Sequence, residues 1–475
     1  MGRAVGMLAS VATAVLLASV VVIVTAMGSM RSAGAVERPN IVFVLTDDLD
    51  SRSMTYLNGL QNTMGQNGTT FSRAYVSDAV CAPSRATVLR GQYPHNHGIR
   101  GNVAPAGGHD KFRSTLKDRS TIATWLNRSG YQTKFIGKYI NGYNERYEPP
   151  GWDEWFGWLG EYESQKINDD GQVFQVQGHD TDVFADESVD FIRRASANPE
   201  PFFLNVWTRA PHKPAIPAAR YSDRFEGTAL PRPPSFDEKD VSDKPRFIRD
   251  LPRLSDNKKS NMRELHQDRL ASMLSVEDLL EDVVATLRQT GELDNTYIFF
   301  TSDNGYHLGQ HRMKQGKRTA YEEDIKVPLM VRGPGVPAGR VLDHRVLNND
   351  LAPTFARLAG VTPPSFVDGK SMVPLMDSSP PTVSNWRTGV LTENWRTEGV
   401  GGPSDAPTYK AIRTKSFLWV RYVNGERELY DMRNDPYQLQ SRDPKDNQRL
   451  VRRLNSQLDK LATCDRAGCR AAETN

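Results

Sequence analysis

The string Cys81-Ala82-Pro83-Ser84-Arg85 places a thiol, a helix start and a guanidinium within five residues. Pro83 suits a first helical turn, because the N–H it lacks is one a helix leaves unpaired there anyway. Ser84 to Leu89 can continue the helix. Free backbone N–H groups at such a start favour an anion. The planar, permanently charged fork of Arg85 matches a pair of sulfate or phosphate oxygens. Together these groups suit attack on a tetrahedral oxyanion ester. The cysteine alone would not carry that reading, since a free cysteine is usually a small buried hydrophobe. A second set, Asp47-Asp48 and Asp303-Asn304, consists of hard oxygen donors. Such donors prefer calcium or magnesium to zinc, which favours His and Cys. Three carboxylates brought together would repel strongly without a cation. Singly, each is an ordinary cap or turn residue.

A sheet must bring these groups together. Residues 40–46 form a continuous apolar run after a proline, the pattern of a strand buried on both faces. The run ends in Asp47-Asp48, at the carboxyl end where open α/β sheets hold their ligands. Residues 131–136, 201–207, 297–301 and 327–331 read as further strands, and 121–129, 181–195, 261–289 and 350–358 as helices. This alternation predicts a mainly parallel sheet with helices on both faces. It also predicts that Asp47-Asp48, Lys138, the segment after Trp207, and Asp303-Asn304 meet at one sheet edge. Residues 231–253 read as a long loop, either a wall over the site or a plain surface excursion. The proline- and serine-rich stretch 374–384 marks a boundary. Short strands over 408–431, a hairpin turn at 423–426 and a helix at 447–461 predict a small antiparallel subdomain over 385–475. Trp152, Trp155, Phe156 and Trp158 could stack on sugar rings but read first as core packing.

The full string Cys81-Ala82-Pro83-Ser84-Arg85, followed by Leu89-Arg90-Gly91, resembles the signature of the type I sulfatases. Arg90 stands where that family usually has Thr. Lys138 in Gly137-Lys138-Tyr139 matches a further family element, as do His212 in Pro211-His212-Lys213-Pro214 and Lys317 ahead of Tyr321-Glu322 and Val327-Pro328-Leu329. The resemblance runs on through Val331-Arg332-Gly333-Pro334-Gly335 to Glu428-Leu429-Tyr430-Asp431. Asn141 occupies the region where many members carry a histidine, which is similar to the N-acetylglucosamine-6-sulfatase branch.

The resemblance implies an alkaline-phosphatase-like α/β/α sandwich over residues 36–375, with a small C-terminal α+β subdomain. It implies that Cys81 is oxidised to formylglycine by a formylglycine-generating enzyme. Asp47, Asp48, Asp303, Asn304 and residue 81 would hold one divalent cation, usually calcium, with magnesium as the other candidate. Arg85, Lys138 and Lys317 would neutralise the sulfate oxygens, and His212 would protonate the leaving alcohol. The expected substrate is a sulfate ester, with a sulfated sugar such as 6-sulfated N-acetylglucosamine as the first choice. An arylsulfatase and a phosphate or phosphonate ester hydrolase of the same superfold stand as alternatives. A non-catalytic binder of sulfated glycans is the reading if Cys81 stays a thiol.

Residues 1–35 combine Arg3, an apolar run from Val11 to Met27, and Ala33-Gly34-Ala35. This reads as a secretory signal cleaved near Ala35. An uncleaved membrane anchor is the alternative, because the run approaches spanning length. Either way the expected location is extracytoplasmic. The chain carries 60 basic and 57 acidic residues, and loss of Arg3 and Arg31 leaves 58 against 57. Nothing in that balance marks a nucleic-acid binder. Of three cysteines, Cys464 and Cys469 lie close enough to form a small disulfide in an exported protein. Cys81 is then the odd one, and conversion to an aldehyde would account for it.

Overall fold

The computed structural model describes residues 38–144, 146–159, 165–396 and 406–474. The expected signal or anchor at 1–35 lies outside them. Among the described residues no helix is long and apolar enough to cross a membrane. In chain order the strands are β1 (Asn40–Thr46), β2 (Thr69–Tyr75), β3 (Gln132–Gly137), β4 (Glu154–Leu159), β5 (Lys166–Asp169), β6 (Gln172–Gln175), β7 (Phe202–Trp207) and β8 (Thr296–Ser302). They continue with β9 (His307–Leu308), β10 (Gln315–Gly316), β11 (Lys326–Val327), β12 (Leu329–Arg332) and β13 (Arg340–Leu347). The last four are β14 (Gly389–Asn394), β15 (Tyr409–Thr414), β16 (Phe417–Tyr422) and β17 (Arg427–Asp431).

The large sheet runs β11-β2-β12-β8-β1-β7-β3-β4-β5-β6, with β13 beside β2. Its centre, β8-β1-β7-β3-β4, is parallel. Antiparallel strands flank that centre on both sides. β1 is buried along its whole length. Its side chains alternate between two apolar layers, as a strand's period of two requires. Ile41, Phe43 and Leu45 pack on one face with Phe355 and Trp207, whereas Val42 and Val44 pack on the other with Leu279, Leu280 and Val283. Helix Asp256–Gln289 therefore covers one face and helix Leu351–Leu358 the other.

Several expectations move at their edges. The helix expected from 261 begins at Asp256, because the Ser255 side chain accepts from the Lys258 N–H and caps it. The strand expected over 327–331 is two strands separated at Pro328, which has no N–H to give a ladder. The long loop 231–253 packs against residues 309–312 through part of its length, with other residues exposed. Its Asp237 N–H donates to the Gly309 carbonyl, the His311 N–H to the Ser235 carbonyl, and Phe247 and Ile248 are buried. Trp155, Phe156 and Trp158 are core residues, with Trp155 stacked on Phe135 at 4.5 Å.

The antiparallel sheet β14-β15-β16-β17 is backed by helix Gln448–Ala462 through Leu454, Leu458 and Leu461. Residues 39–475 form one compact unit. Glu428 on β17 accepts from the Tyr321, Tyr422 and Tyr430 hydroxyls, which ties the small sheet to the segment after Lys317. Arg387 is fully buried and bonds Asp350 through two nitrogens, at 2.7 and 2.9 Å, and Glu473 at 2.9 Å. Arg387→Met strands two buried carboxylates, so it should destabilise the protein by about 3–5 kcal/mol. Denaturant midpoints with an unchanged slope would measure this, and a loss under about 1 kcal/mol would contradict it.

Candidate active site

The parallel neighbours β1 and β8 end in register, Thr46 beside Ser302. Their carboxyl ends therefore present Asp47-Asp48 and Asp303-Asn304 side by side. The Asp303 N–H donates to the Thr46 carbonyl at 3.0 Å, and the Asp48 N–H to Asp303 Oδ1 at 3.1 Å. Asp48 sits at φ +69°, a left-handed turn that Asp tolerates better than most residues. β3 delivers the next group. Gly137 lies so close to β7 that a Cβ would come 2.2 Å from the Trp207 carbonyl oxygen, at φ +103°. Lys138 follows, its N–H donating to that same carbonyl at 2.8 Å.

Cys81 is the first residue of helix Cys81–Arg90 and is fully buried. Its Sγ lies 3.3 Å from Asp47 Oδ1 and 2.8 Å from Lys317 Nζ. Lys138 Nζ also bonds Asp47, and Lys317 Nζ bonds Asp48. His212 Nε2 lies 3.7 Å from Asp48 Oδ2, and its Nδ1 lies 2.5 Å from the Lys213 carbonyl. The structure thus brings all nine sequence-predicted residues to one sheet edge. Two details differ from expectation. The Ala82 N–H at the helix start is taken by Asn102 Oδ1 at 3.0 Å. Arg85 is fully buried, with Nε on Asp303 Oδ2 at 2.8 Å, Nη2 3.6 Å from Asp47, and its guanidinium 5.4 Å from the Trp207 ring. It holds the carboxylates from behind rather than facing a substrate.

Two residues were not visible in the sequence. Arg269, midway along a long helix, donates Nη2 to the Asp48 carbonyl at 2.6 Å and Nη1 to the Pro211 carbonyl at 3.1 Å. It bridges the Asp48 turn and the segment carrying His212. Asn102 stands in an irregular loop with no motif around it. Arg90, the departure from the usual Thr, donates to the Lys117 and Ser120 carbonyls and packs over Phe366, so it pins the helix end.

The electrostatics favour a cation. Burial and the Asp47 charge push Asp303 up to about 6, even against Arg85 and Lys317. Burial would raise Asp47 too, but Lys138, His212, Arg85 and Lys317 together hold it well below the usual carboxylate range. Burial and Asp47 push the Cys81 thiol up to about 12. Burial pulls His212 down to about 4, against the two aspartates. Donor atoms of Asp47, Asp48, Cys81 and Asp303 all lie within 4.8 Å of one another. Asn304 gives its Nδ2 to Asp48, whereas its buried Oδ1 has no hydrogen-bond partner. An oxygen-rich, anionic cluster with an orphaned amide oxygen fits a hard divalent cation. The other cysteines do not compete for it, since Cys464 and Cys469 form a disulfide.

Comparison with known proteins agrees with this geometry. The sulfatase family model matches residues 39–361, and the C-terminal model of N-sulphoglucosamine sulphohydrolase matches residues 309–464. The N-acetylglucosamine-6-sulfatase of Homo sapiens is 34% identical, over 94% of this chain and 88% of the relative. An arylsulfatase of Volvox carteri is 33% identical, over 93% of this chain and 77% of the relative. A solved structure in complex with its substrate D-glucosamine-2-N, 6-O-disulfate matches with a TM-score of 0.77 at 25% identity. That match covers 89% of this chain and 97% of the other.

Proposed function

This chain belongs to the sulfatase family, with its alkaline-phosphatase-like fold, and is a sulfuric ester hydrolase; on that premise we propose that it desulfates 6-sulfated N-acetylglucosamine residues with a formylglycine made from Cys81. The observation that carries the nucleophile is the thiol itself. Held at about 12, it is not a thiolate at neutral pH, yet it sits among the charged groups of the site. Formylglycine would supply a hydrated aldehyde with one hydroxyl for attack and a second for releasing sulfate. A cation held by Asp47, Asp48, Asp303 and Asn304 would lower the pKa of the attacking hydroxyl. Calcium suits this oxygen-rich set, and magnesium is the alternative. Lys138 and Lys317 carry the positive charge that meets the sulfate oxygens, and Arg85 positions Asp47 and Asp303. Maturation requires a formylglycine-generating enzyme, and export follows if residues 1–35 act as a signal. In this reading residues 36–375 form the catalytic domain and 385–475 an attached subdomain.

His212 gives its proton to the leaving sugar oxygen. The Lys213 carbonyl takes the Nδ1–H, so in the neutral ring Nε2 carries no proton. It becomes a donor only on gaining a proton, which the arriving sulfate favours. His212→Gln should slow sugar sulfates by about 10²–10⁴-fold and barely affect aryl sulfates, whose phenolate leaves unaided. An equal loss on both substrates would remove His212 as the acid. Stripping divalent ions with a chelator should lower turnover by more than about 100-fold, with recovery on adding calcium or magnesium. Unchanged turnover after chelation would exclude the metal role.

The sugar assignment rests on Asn141, whose buried Oδ1 lacks a hydrogen-bond partner, and on the relatives' substrates. The test is a screen of protein verified to carry formylglycine. Hydrolysis of 6-sulfated N-acetylglucosamine is the expected result. Turnover of small aryl sulfates alone would refute the sugar and leave an arylsulfatase.

A further inference from the structure

We infer that a cationic groove between the β15–β16 turn and helix Gln448–Ala462 is an exosite that binds the anionic groups of a sulfated glycan chain while one of its sugars is being desulfated. The groove encloses about 540 Å³ and is lined by Arg345, Lys415, Arg433, Arg453 and Lys460, with no carboxylate among the described residues of its wall. Arg345 is only 3% exposed, yet its Nε and Nη1 have no hydrogen-bond partner among the described residues. Its Nη2 donates to the Arg387 carbonyl. A buried guanidinium with two unmet donors is costly, and its charge adds to the positive potential that draws an anion into the groove. The cations near it do not compete for that anion. Arg387 is matched by Asp350 and Glu473, Arg413 by Glu322, and Arg73 by Asp343. Lys415, Arg433, Arg453 and Lys460 form no ion pair among the described residues, although Lys415 lies in the field of Asp343. Burial and these neighbouring arginines pull Arg345 down to about 10, still charged at neutral pH.

None of the candidate active-site residues lines the groove. It is therefore a second contact point, suited to a polymer that carries sulfate or carboxylate on successive sugars. Multipoint attachment of this kind raises the affinity for chains without altering the chemistry at residue 81. The inference rests on the sulfated-sugar reading above.

The test compares the full-length, formylglycine-containing protein with the double variant R453E/K460E, using a heparin-derived hexasaccharide as the probe. Both residues are exposed, so their reversal leaves the fold intact. Wild type should bind with strong salt dependence, and the variant roughly tenfold more weakly. KM for the hexasaccharide should rise by a similar factor, with kcat and aryl sulfate turnover unchanged. Equal affinity of the two proteins would overturn the exosite. So would a single-stranded oligonucleotide of matched charge that binds as tightly as the hexasaccharide, which would mark a diffuse cationic surface. The affinity readout does not depend on hydrolysis. A protein that fails to cleave 6-sulfated sugars therefore refutes the substrate, whereas an unchanged affinity or an equally tight oligonucleotide refutes the groove.

Discussion

Cys81→Ala should lower sulfate ester turnover by at least about 10⁴-fold, with the protein still folded. The fold should survive because the change removes one buried sulfur from a helix start whose backbone is held elsewhere. The Ala82 N–H bonds Asn102, and the Ser84 N–H bonds the Val80 carbonyl. The Lys317 ammonium beside Sγ retains Asp48 as its partner. Activity is lost because Asp47, Asp48, Lys138 and Lys317 then surround no nucleophile. Cys81→Ser separates the two halves of the reaction. A serine hydroxyl can attack sulfur, but it has no second hydroxyl with which to expel sulfate. This variant should stall as a sulfated serine, about 80 Da heavier at that peptide, with no multiple turnover. Steady turnover by either variant at more than a hundredth of the wild-type rate, read against a chromogenic sulfate ester, would place the nucleophile elsewhere.

The second large effect is on stability. Arg85→Gln should destabilise the metal-free protein by about 3–5 kcal/mol, because it leaves Asp47 and Asp303 buried without their shared guanidinium. The loss should depend on pH with a definite sign. Asp303 already titrates at about 6 in the folded protein, above the usual carboxylate value, and without Arg85 it is raised further. A carboxyl whose pKa rises on folding opposes folding at high pH and gains stability by binding a proton. The penalty should therefore be full only above the variant's raised Asp303 pKa, shrink as pH falls from there to about 6, and be smallest below 6. Denaturation curves of both proteins at pH 5 and pH 8 measure this. A penalty that is equal at both, or larger at pH 5, would contradict the charge account.

Much of this site was legible because its residues sit at the ends of strongly patterned elements. The apolar run of β1 leads directly to Asp47-Asp48, and that of β8 to Asp303-Asn304, so two strand patterns locate four oxygen donors. Three strands of the large sheet, β2, β4 and β13, escaped despite their buried residues, and other misses lack that patterning. β5 and β6 are short and polar, at one edge of the sheet, and carry too few apolar residues to show a period. Ser255 caps a helix whose apolar stripe starts several residues later, so the stripe alone places the start late. Arg269 serves the site through backbone carbonyls, and a donor to carbonyls leaves no partner type to search for in the sequence. The orientation of Arg85 was missed for a related reason. An arginine fork fits a carboxylate as well as a sulfate, and only the fold shows that Asp303 and Asp47 reach it first.

The central claim is that the group at position 81 in the working protein is an aldehyde and not a thiol. Mass spectrometry of the tryptic peptide containing residue 81, on active protein from its native host, tests that most directly. The account predicts a peptide lighter than the cysteine form by roughly 18 Da, its fraction rising in proportion to specific activity across preparations. Protein that turns over sulfate esters while its residue 81 remains an unmodified thiol would contradict it.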